Sequence, residues 1–307
     1  MRILVTGGAG FIGSQVAAAY VAAGHTVAVV DNLSSGLRKN LAPEVTFYEA
    51  DVRDAAAMGR IADEYKPELV NHHAAQLSIS RSVADPRHDA EVNILGFLTL
   101  LEAVRHTATR IIVASSGGAI YGDTPHVPTA EDQLPQPVSP YGVAKLTMEH
   151  YLHYYQVQYG LAWVALRYAN VYGPRQNPKG ETGVIAVFLD ALGQGKQPLV
   201  LGDGLQTRDY VCVEDVVAAN LAALDRGAGA YNIGTSVETT VLDLFHAVQG
   251  AMGTSLPVVH GEARPGEQRR SALMNQRARQ DLGWQPTVPL ADGLAATVAW
   301  YRGEAAV

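Results

Sequence analysis

Tyr141 and Lys145 stand four residues apart in the run Pro140-Tyr141-Gly142-Val143-Ala144-Lys145. That spacing stacks two side chains on one face of a helix. A phenol titrates near ~10, too high for a base at neutral pH. A neighbouring ammonium favours the phenolate and lowers that value. Such a pair can take a proton from a substrate hydroxyl and return it. Taken alone, the pair also reads as a surface contact on a helix. Its chemistry depends on what the rest of the chain supplies.

A second cluster lies near the N-terminus. Thr6-Gly7-Gly8-Ala9-Gly10-Phe11-Ile12-Gly13 separates a β-branched run from an alanine-rich helical stretch. Gly7 permits a tight turn, Gly10 lets the backbone approach a pyrophosphate, and Gly13 lets helix and strand pack closely. The N–H groups that open the helix, at Phe11 and Ile12, offer donors and partial positive charge to phosphates. Asp31 follows Gly13 by eighteen residues and ends the second predicted strand. A carboxylate there accepts hydrogen bonds from an adenosine ribose and repels a 2′-phosphate, which favours NAD over NADP. Beside a bound NAD, Tyr141 would remove a hydroxyl proton while hydride leaves the same carbon. Lys145 would also hold the nicotinamide ribose.

The elements that must position these groups follow a rhythm. Strands are predicted at 3–6, 26–31, 45–48, 69–71, 111–115 and 162–167, with helices at 11–23, 55–65, 89–106 and 141–159. The alternation predicts an α/β fold, a Rossmann-type doubly wound parallel sheet. Ligands of such sheets bind beyond the carboxyl ends of the strands. The rhythm breaks after Arg167. A loop is predicted at 172–183, helices at 184–192 and 216–224, and strands at 199–201 and 208–213. Pro257, Pro265, Pro286 and Pro289 punctuate the rest, which reads as a smaller α+β C-terminal lobe for the substrate. The expected division is 1–168 with 209–235 for NAD, and 169–208 with 236–307 for the substrate.

Composition narrows the function. Of 307 residues 48% are apolar and 17% charged, which excludes a disordered chain, a coiled coil or a collagen. Lys and Arg number 23 against 30 Asp and Glu, a net charge of −7 with no basic block, so neither nucleic acid nor an anionic membrane is an expected partner. The lone cysteine, Cys212 between Val211 and Val213, reads as a buried small hydrophobe. No apolar run reaches the ~18 residues of a membrane span. The expectation is a soluble cytoplasmic protein. His72 and His73 are adjacent at a strand end and point to opposite sides, so no metal is expected.

The spacing Gly7-x-x-Gly10-x-x-Gly13 resembles that of the extended short-chain dehydrogenase/reductase family, and the likeness runs from Arg2 to about Tyr301. Within that family the chain is similar to the NAD-dependent sugar-nucleotide epimerases. The resemblance implies further cofactor contacts. Asp51 and Val52 match the pair at the adenine ring, with Asn32 beside Asp31. His73-Ala74-Ala75 matches the segment beneath the nicotinamide ribose, with Tyr168 nearby. Asn93 matches an asparagine that steadies the central helix. Such epimerases often carry a lysine where this chain has Gln76.

The resemblance also implies a Ser or Thr that hydrogen-bonds the reacting hydroxyl just after the fifth strand. Counted back from Tyr121-Gly122 this position is Gly117; counted forward along the strand it is Ser116. The strand is rigid and loops accept insertions, so Ser116 is the expected residue and Ser115 the reserve. Related dehydratases carry Asp-Glu directly after it, where this chain has Gly117, Gly118 and Ala119. A reversible oxidation and reduction at carbon 4 suits better than elimination. Leu166-Arg167-Tyr168-Ala169-Asn170 and Arg208-Asp209-Tyr210 resemble substrate segments in which Asn170 and Arg208 meet a UDP diphosphate. Arg264 resembles a further arginine at that site, with Glu267 near the uridine ribose. Ser271 matches a gate whose small size leaves room for an N-acetyl group.

The implied activity is 4-epimerisation of UDP-glucose and UDP-galactose, with acetylated hexosamines admitted. The alternatives are a 4-epimerase of another nucleotide sugar such as UDP-glucuronate, a net dehydrogenase, and a non-catalytic NAD-binding sensor. A homodimer through the helices at 89–106 and 141–159 is also implied. The tyrosines at 151, 154, 155 and 159 suit either core or subunit contact.

Overall fold

The computed structural model describes residues 1–108, 110–176, 183–263 and 268–305. Strands β1 (Arg2–Thr6), β2 (Thr26–Asp31), β3 (Thr46–Glu49), β4 (Leu69–His72), β5 (Arg110–Ser116) and β6 (Ala162–Tyr168) lie in one sheet. Shorter strands follow: β7 (Asn170–Tyr172), β8 (Leu199–Leu201), β9 (Thr207–Arg208) and β10 (Tyr210–Cys212). Then β11 (Gly229–Ile233) returns to the main sheet, before β12 (Thr239–Thr240) and β13 (Val259–Gly261). The main sheet runs β11-β6-β5-β4-β1-β2-β3 with every pair parallel. The order reverses between β1 and β4, and ligands of such sheets bind at this switch point.

The helices are α1 (Phe11–Ala22), α2 (Ala55–Tyr65), α3 (Ile79–Ala84), α4 (Pro86–Ala90), α5 (Gly96–Val104), α6 (Gly117–Ile120) and α7 (Pro140–Tyr159). After them come α8 (Val184–Gly193), α9 (Val213–Ala222), α10 (Val241–Met252), α11 (Gln276–Asp281) and α12 (Leu290–Ala305). A π-helical turn, Glu91–Leu95, joins α4 to α5. The helix expected at 89–106 is this composite run. It starts earlier because Asp85 accepts from His88 N at 3.0 Å and Pro86 sits at the first helical position.

Three other expectations are corrected. The strand at 208–213 splits at Asp209, whose buried carboxylate gathers the N–H groups of Thr235, Ser236 and Leu273. Helix α9 opens at Val213, directly after β10, rather than at 216. Tyr172 ends a strand instead of opening a loop. Strand β11 had no expectation at all. Its Gly-Ala-Tyr-Asn-Ile sequence carries a weak local signal, and pairing with β6 decides its state.

The sheet strands are apolar on both sides because helices cover both faces. On one face Val16 and Tyr20 of α1 meet Val216 and Ala219 of α9. On the other, Met58 and Ile61 of α2 pack with Phe97 and Leu101 of α5 and Met148 and Leu152 of α7. A third core holds Phe188 of α8, Phe245 of α10 and Leu294 of α12 together with Tyr210 and Cys212 of β10.

Candidate active site

The glycine loop leaves β1 at the switch point. Gly7 has φ +66°, and a Cβ there would sit 2.5 Å from Ala74 N. The turn therefore needs glycine twice over, for its backbone and for the approach of the segment after β4. A Cβ on Gly13 would overlap the Gly7 carbonyl. A Cβ on Gly10 would press on one atom, Gly7 O at 3.2 Å, and meet no other within 4 Å, so the rest of its surroundings is open. Gly10 also caps α1 with no side-chain partner, and the first N–H groups of a helix have no acceptor within it. These donors, at Phe11 and Ile12, border the open space above Gly10.

The acidic cluster sits at the ends of β2 and β3. Asp31 accepts from Ala9 N at 2.9 Å and from Leu33 N at 2.8 Å, which ties the loop after β2 to the glycine loop. Asn32 donates to Asp51 at 2.9 Å. Arg53 grips Asp51 with two side-chain bonds of 2.9 and 2.8 Å and holds its carboxyl well below the usual carboxylate range. Val52 is buried against Gly96 in the sheet's second core.

Across the switch point lies the segment after β4. The rings of His73 and Tyr168 stack, with Nε2 and the phenol oxygen 3.3 Å apart. His73 Nδ1 is buried with no partner among the described residues. Asn93 does not reach the cleft with its side chain. Its amide exchanges two bonds of 2.9 Å with the Gln76 backbone and donates a third to Asp89. It braces the loop that carries His73, Ala74 and Ala75. Gln76, where a lysine was the usual residue, donates to Asp89 at 2.9 Å.

Tyr141 lies in the first turn of α7, pinned by the Ser139 cap to Gly142 N at 3.1 Å. A Cβ on Gly142 would overlap the Ala119 carbonyl, so this glycine lets α6 pack directly on that turn. Ser116 ends β5, opposite Tyr168 in the register, and its side chain lies near the Tyr141 hydroxyl. Lys145 is buried. Its Nζ donates to Ala114 O at 2.8 Å and lies 5.7 Å from the Tyr141 ring centre. Ser115 turns away and donates to Glu149 at 2.7 Å.

The lowering expected of the phenol needs a bound nicotinamide cation as well as Lys145, and the chain's own groups alone act the other way. Burial pushes Tyr141 up to about 12, the nearby Ser116 hydroxyl opposes this, and the Asp89 charge adds to it. Burial likewise brings Lys145 down to about 8, against the Asp89 and Glu149 charges. Desolvation outweighs the pairing because both groups are deep in the protein. The phenol needs further positive charge at its ring before it serves as a base at neutral pH.

At the substrate end, Asn170 lies beside α6, its Oδ1 3.9 Å from a Cβ built on Gly118. Arg208 donates to Thr207 O at 2.7 Å and Gln268 O at 2.9 Å. Ser271 is buried, two residues before Leu273, whose side chain a Cβ on Gly117 would overlap. Arg264 and Glu267 lie outside the described residues. Among the described residues no group of three or more His, Cys, Asp or Glu side chains could hold a metal ion, and no helix is long and apolar enough to cross a membrane.

Residues 3–234 match the profile of the NAD dependent epimerase/dehydratase family. The chain belongs to that family. The UDP-glucose 4-epimerase of Mycolicibacterium smegmatis is 46% identical over 99% of both chains. That of Lacticaseibacillus casei is 35% identical over 98% of this chain and 96% of its own. The UDP-glucose 4-epimerase of Thermotoga maritima, solved with UDP-glucose, superposes with TM-score 0.97 at 46% identity, over 99% of this chain and all of the other. That of Thermus thermophilus, solved with NAD, gives 0.95 at 44% identity over 99% of both. A UDP-N-acetylglucosamine 4-epimerase from Methanobrevibacter ruminantium gives 0.93 at 32% identity, over 99% of this chain and 98% of the other.

As a member of the NAD dependent epimerase/dehydratase family the chain uses NAD, and its residues fit that cofactor. The open space over Gly10 and the helix donors suit a pyrophosphate, Asp31 a ribose, and the unpartnered His73 Nδ1 a polar group at the other end. Sequence reasoning missed Asp89, Glu149, Tyr121 and Arg167. Glu149 carried a usable signal, since it continues the four-residue spacing of Tyr141 and Lys145.

Proposed function

We propose that the enzyme interconverts UDP-glucose and UDP-galactose by oxidising and then reducing carbon 4 of the hexose. The observation that carries this reading is a single hydroxyl pair, Ser116 and Tyr141, backed by Lys145, with no carboxylate on α6. A dehydratase needs an acid on that helix, and a Cβ on Gly117 would already overlap Leu273. The named relatives support the same reading.

When bound, NAD supplies a hydride acceptor for the first half-reaction and a donor for the second. Tyr141 takes the O4 proton as carbon 4 is oxidised, and returns it when the keto sugar has turned its other face. Ser116 donates to O4 and holds it against Tyr141. Lys145 keeps positive charge behind the phenol and anchors the nicotinamide ribose. Asn170, Arg208 and Arg264 hold the diphosphate, so the nucleotide stays fixed while the sugar turns. Glu267 takes the uridine ribose. UDP-galactose deuterated at carbon 4 tests this directly. The product UDP-glucose retains the label, because the same hydride is returned; loss of label to solvent contradicts the mechanism.

The buried Ser271 supports acceptance of UDP-N-acetylhexosamines, and relatives include an enzyme named for that substrate. S271Y abolishes turnover of the acetylated sugars and spares UDP-galactose; a wild type inactive on them contradicts this finer reading. Exposed Val143, Tyr154 and Val157 on α7, with Leu95 beside α5, support a two-fold dimer. Sedimentation reads its mass.

A further inference from the structure

A chain of buried polar groups runs behind the candidate catalytic helix to the wall on the sugar side. Glu149 lies one turn beyond Lys145 on α7. It accepts from Ser115 Oγ at 2.7 Å and from Arg167 Nε at 3.0 Å, and Arg167 closes a second bond of 2.6 Å to the other carboxylate oxygen. Both partners of this ion pair are buried. Arg167 then donates to the Tyr121 hydroxyl at 2.7 Å, and Tyr121 donates onward to Asn232 Oδ1 at 2.8 Å. The Asn232 amide spends its two protons on backbone carbonyls, Thr129 O at 2.9 Å and Met274 O at 3.1 Å. Thr129 is itself laced to that strip, its N–H donating to Ala272 O at 2.8 Å and its carbonyl accepting from Met274 N at 2.8 Å.

The far end of this chain bears on the site. Leu273, within the pinned strip, lies against Gly117, the residue after Ser116. Ser271 is one residue before Ala272. Leu273 N also donates to Asp209, next to Arg208. A rigid strip here sets the distance between the sugar-side wall and the Ser116–Tyr141 pair. Each group in the chain has donors and acceptors matched, which makes it stiff; one lost member leaves buried partners unpaired.

We propose that Tyr121 is a positioning residue for the sugar end of the site, joining the Glu149–Arg167 pair behind the catalytic helix to the Asn232-pinned strip that carries Ser271 and Leu273. The proposal rests on the nucleotide-sugar reading above. Tyr121 touches neither the cofactor cradle nor the diphosphate residues in any hydrogen bond of the described structure. Its hydroxyl works through Asn232.

The test is Y121F, which keeps the ring and removes only the joint. Titration calorimetry of NAD-loaded wild type and variant compares UDP with UDP-galactose. The variant binds UDP as wild type does and UDP-galactose about tenfold more weakly, the scale of a lost hydrogen bond to a charged group. Equal weakening of both ligands, or of neither, overturns the proposal. N232A repeats the discrimination while leaving Arg167 its Glu149 partner, and covers the case in which Y121F does not fold. Because the readout is binding, a wild type that binds UDP-galactose without converting it contradicts the epimerase reading and leaves the Tyr121 comparison standing.

Discussion

Ser115 and Ser116 are adjacent at the end of β5, and their hydroxyls face different residues of the same helix, α7. Ser115 donates into the buried Glu149–Arg167 pair at 2.7 Å, while Ser116 lies near the Tyr141 hydroxyl. The alternation of a strand turns their side chains apart, and so separates a structural hydroxyl from the one proposed for chemistry. S116A is expected to lower kcat by roughly a hundredfold or more, with little change in Tm. S115A is expected to cost about 1–2 kcal/mol of stability and leave kcat within a few-fold. Steady-state rates and thermal melts of the two variants read this; the reverse pattern contradicts the assignment.

The lysine sets an alkaline limit. Burial brings Lys145 down to about 8, so its charge is lost as pH rises through that value. The wild-type rate is expected to fall there. An arginine stays protonated beyond ~12, so K145R should be slower throughout and lack this alkaline limb. A limb unchanged in K145R would assign it to another group.

The glycines separate by space. G10A presses its Cβ on the Gly7 carbonyl at 3.2 Å, a contact that a small shift of the loop relieves, and fills the space a pyrophosphate would occupy. Its Tm without cofactor should fall less than that of G13A while bound NAD is lost. G13A collides with the Gly7 carbonyl and should lower both. Melting curves with and without NAD, plus cofactor assay of denatured protein, distinguish the two.

Acid stability depends on His72. The ring is fully buried, and burial, then the Lys145 and His73 charges, hold it well below the usual imidazole value. The lowered group leaves stability intact above its unfolded value of ~6.5 and removes it as pH falls, by at most ~1.4 kcal/mol per pH unit. H72Q cannot take that proton. Its unfolding free energy should decline less steeply than wild type between about pH 6 and pH 4.5. Parallel curves would show that His72 is not the group excluded.

Much of this was legible in the chain. The Gly7–Gly13 spacing, Asp31, and the Tyr141–Lys145 pair carry local signals, because a turn, a strand end and a helix face each fix their residue types. The structure adds that Asn93 works by bracing Gln76, and that α6 needs Gly142 to dock on α7. Neither contact follows from local pattern. The Glu149–Arg167–Tyr121–Asn232 chain joins α7, β6 and β11 through the residue that follows α6, and is held by tertiary packing alone. The phenol is the clearest difference. Spacing predicts its activation by Lys145, but burial, which no spacing reports, pushes it up to about 12.

The central claim is a reversible turnover at carbon 4 with NAD retained between half-reactions. Purified protein incubated with UDP-galactose, with no cofactor added, is followed by proton NMR and by absorbance of reduced cofactor. The account predicts UDP-glucose rising to a steady ratio with no net NADH. Protein that carries NAD and leaves UDP-galactose unchanged, or that accumulates NADH in step with product, contradicts it.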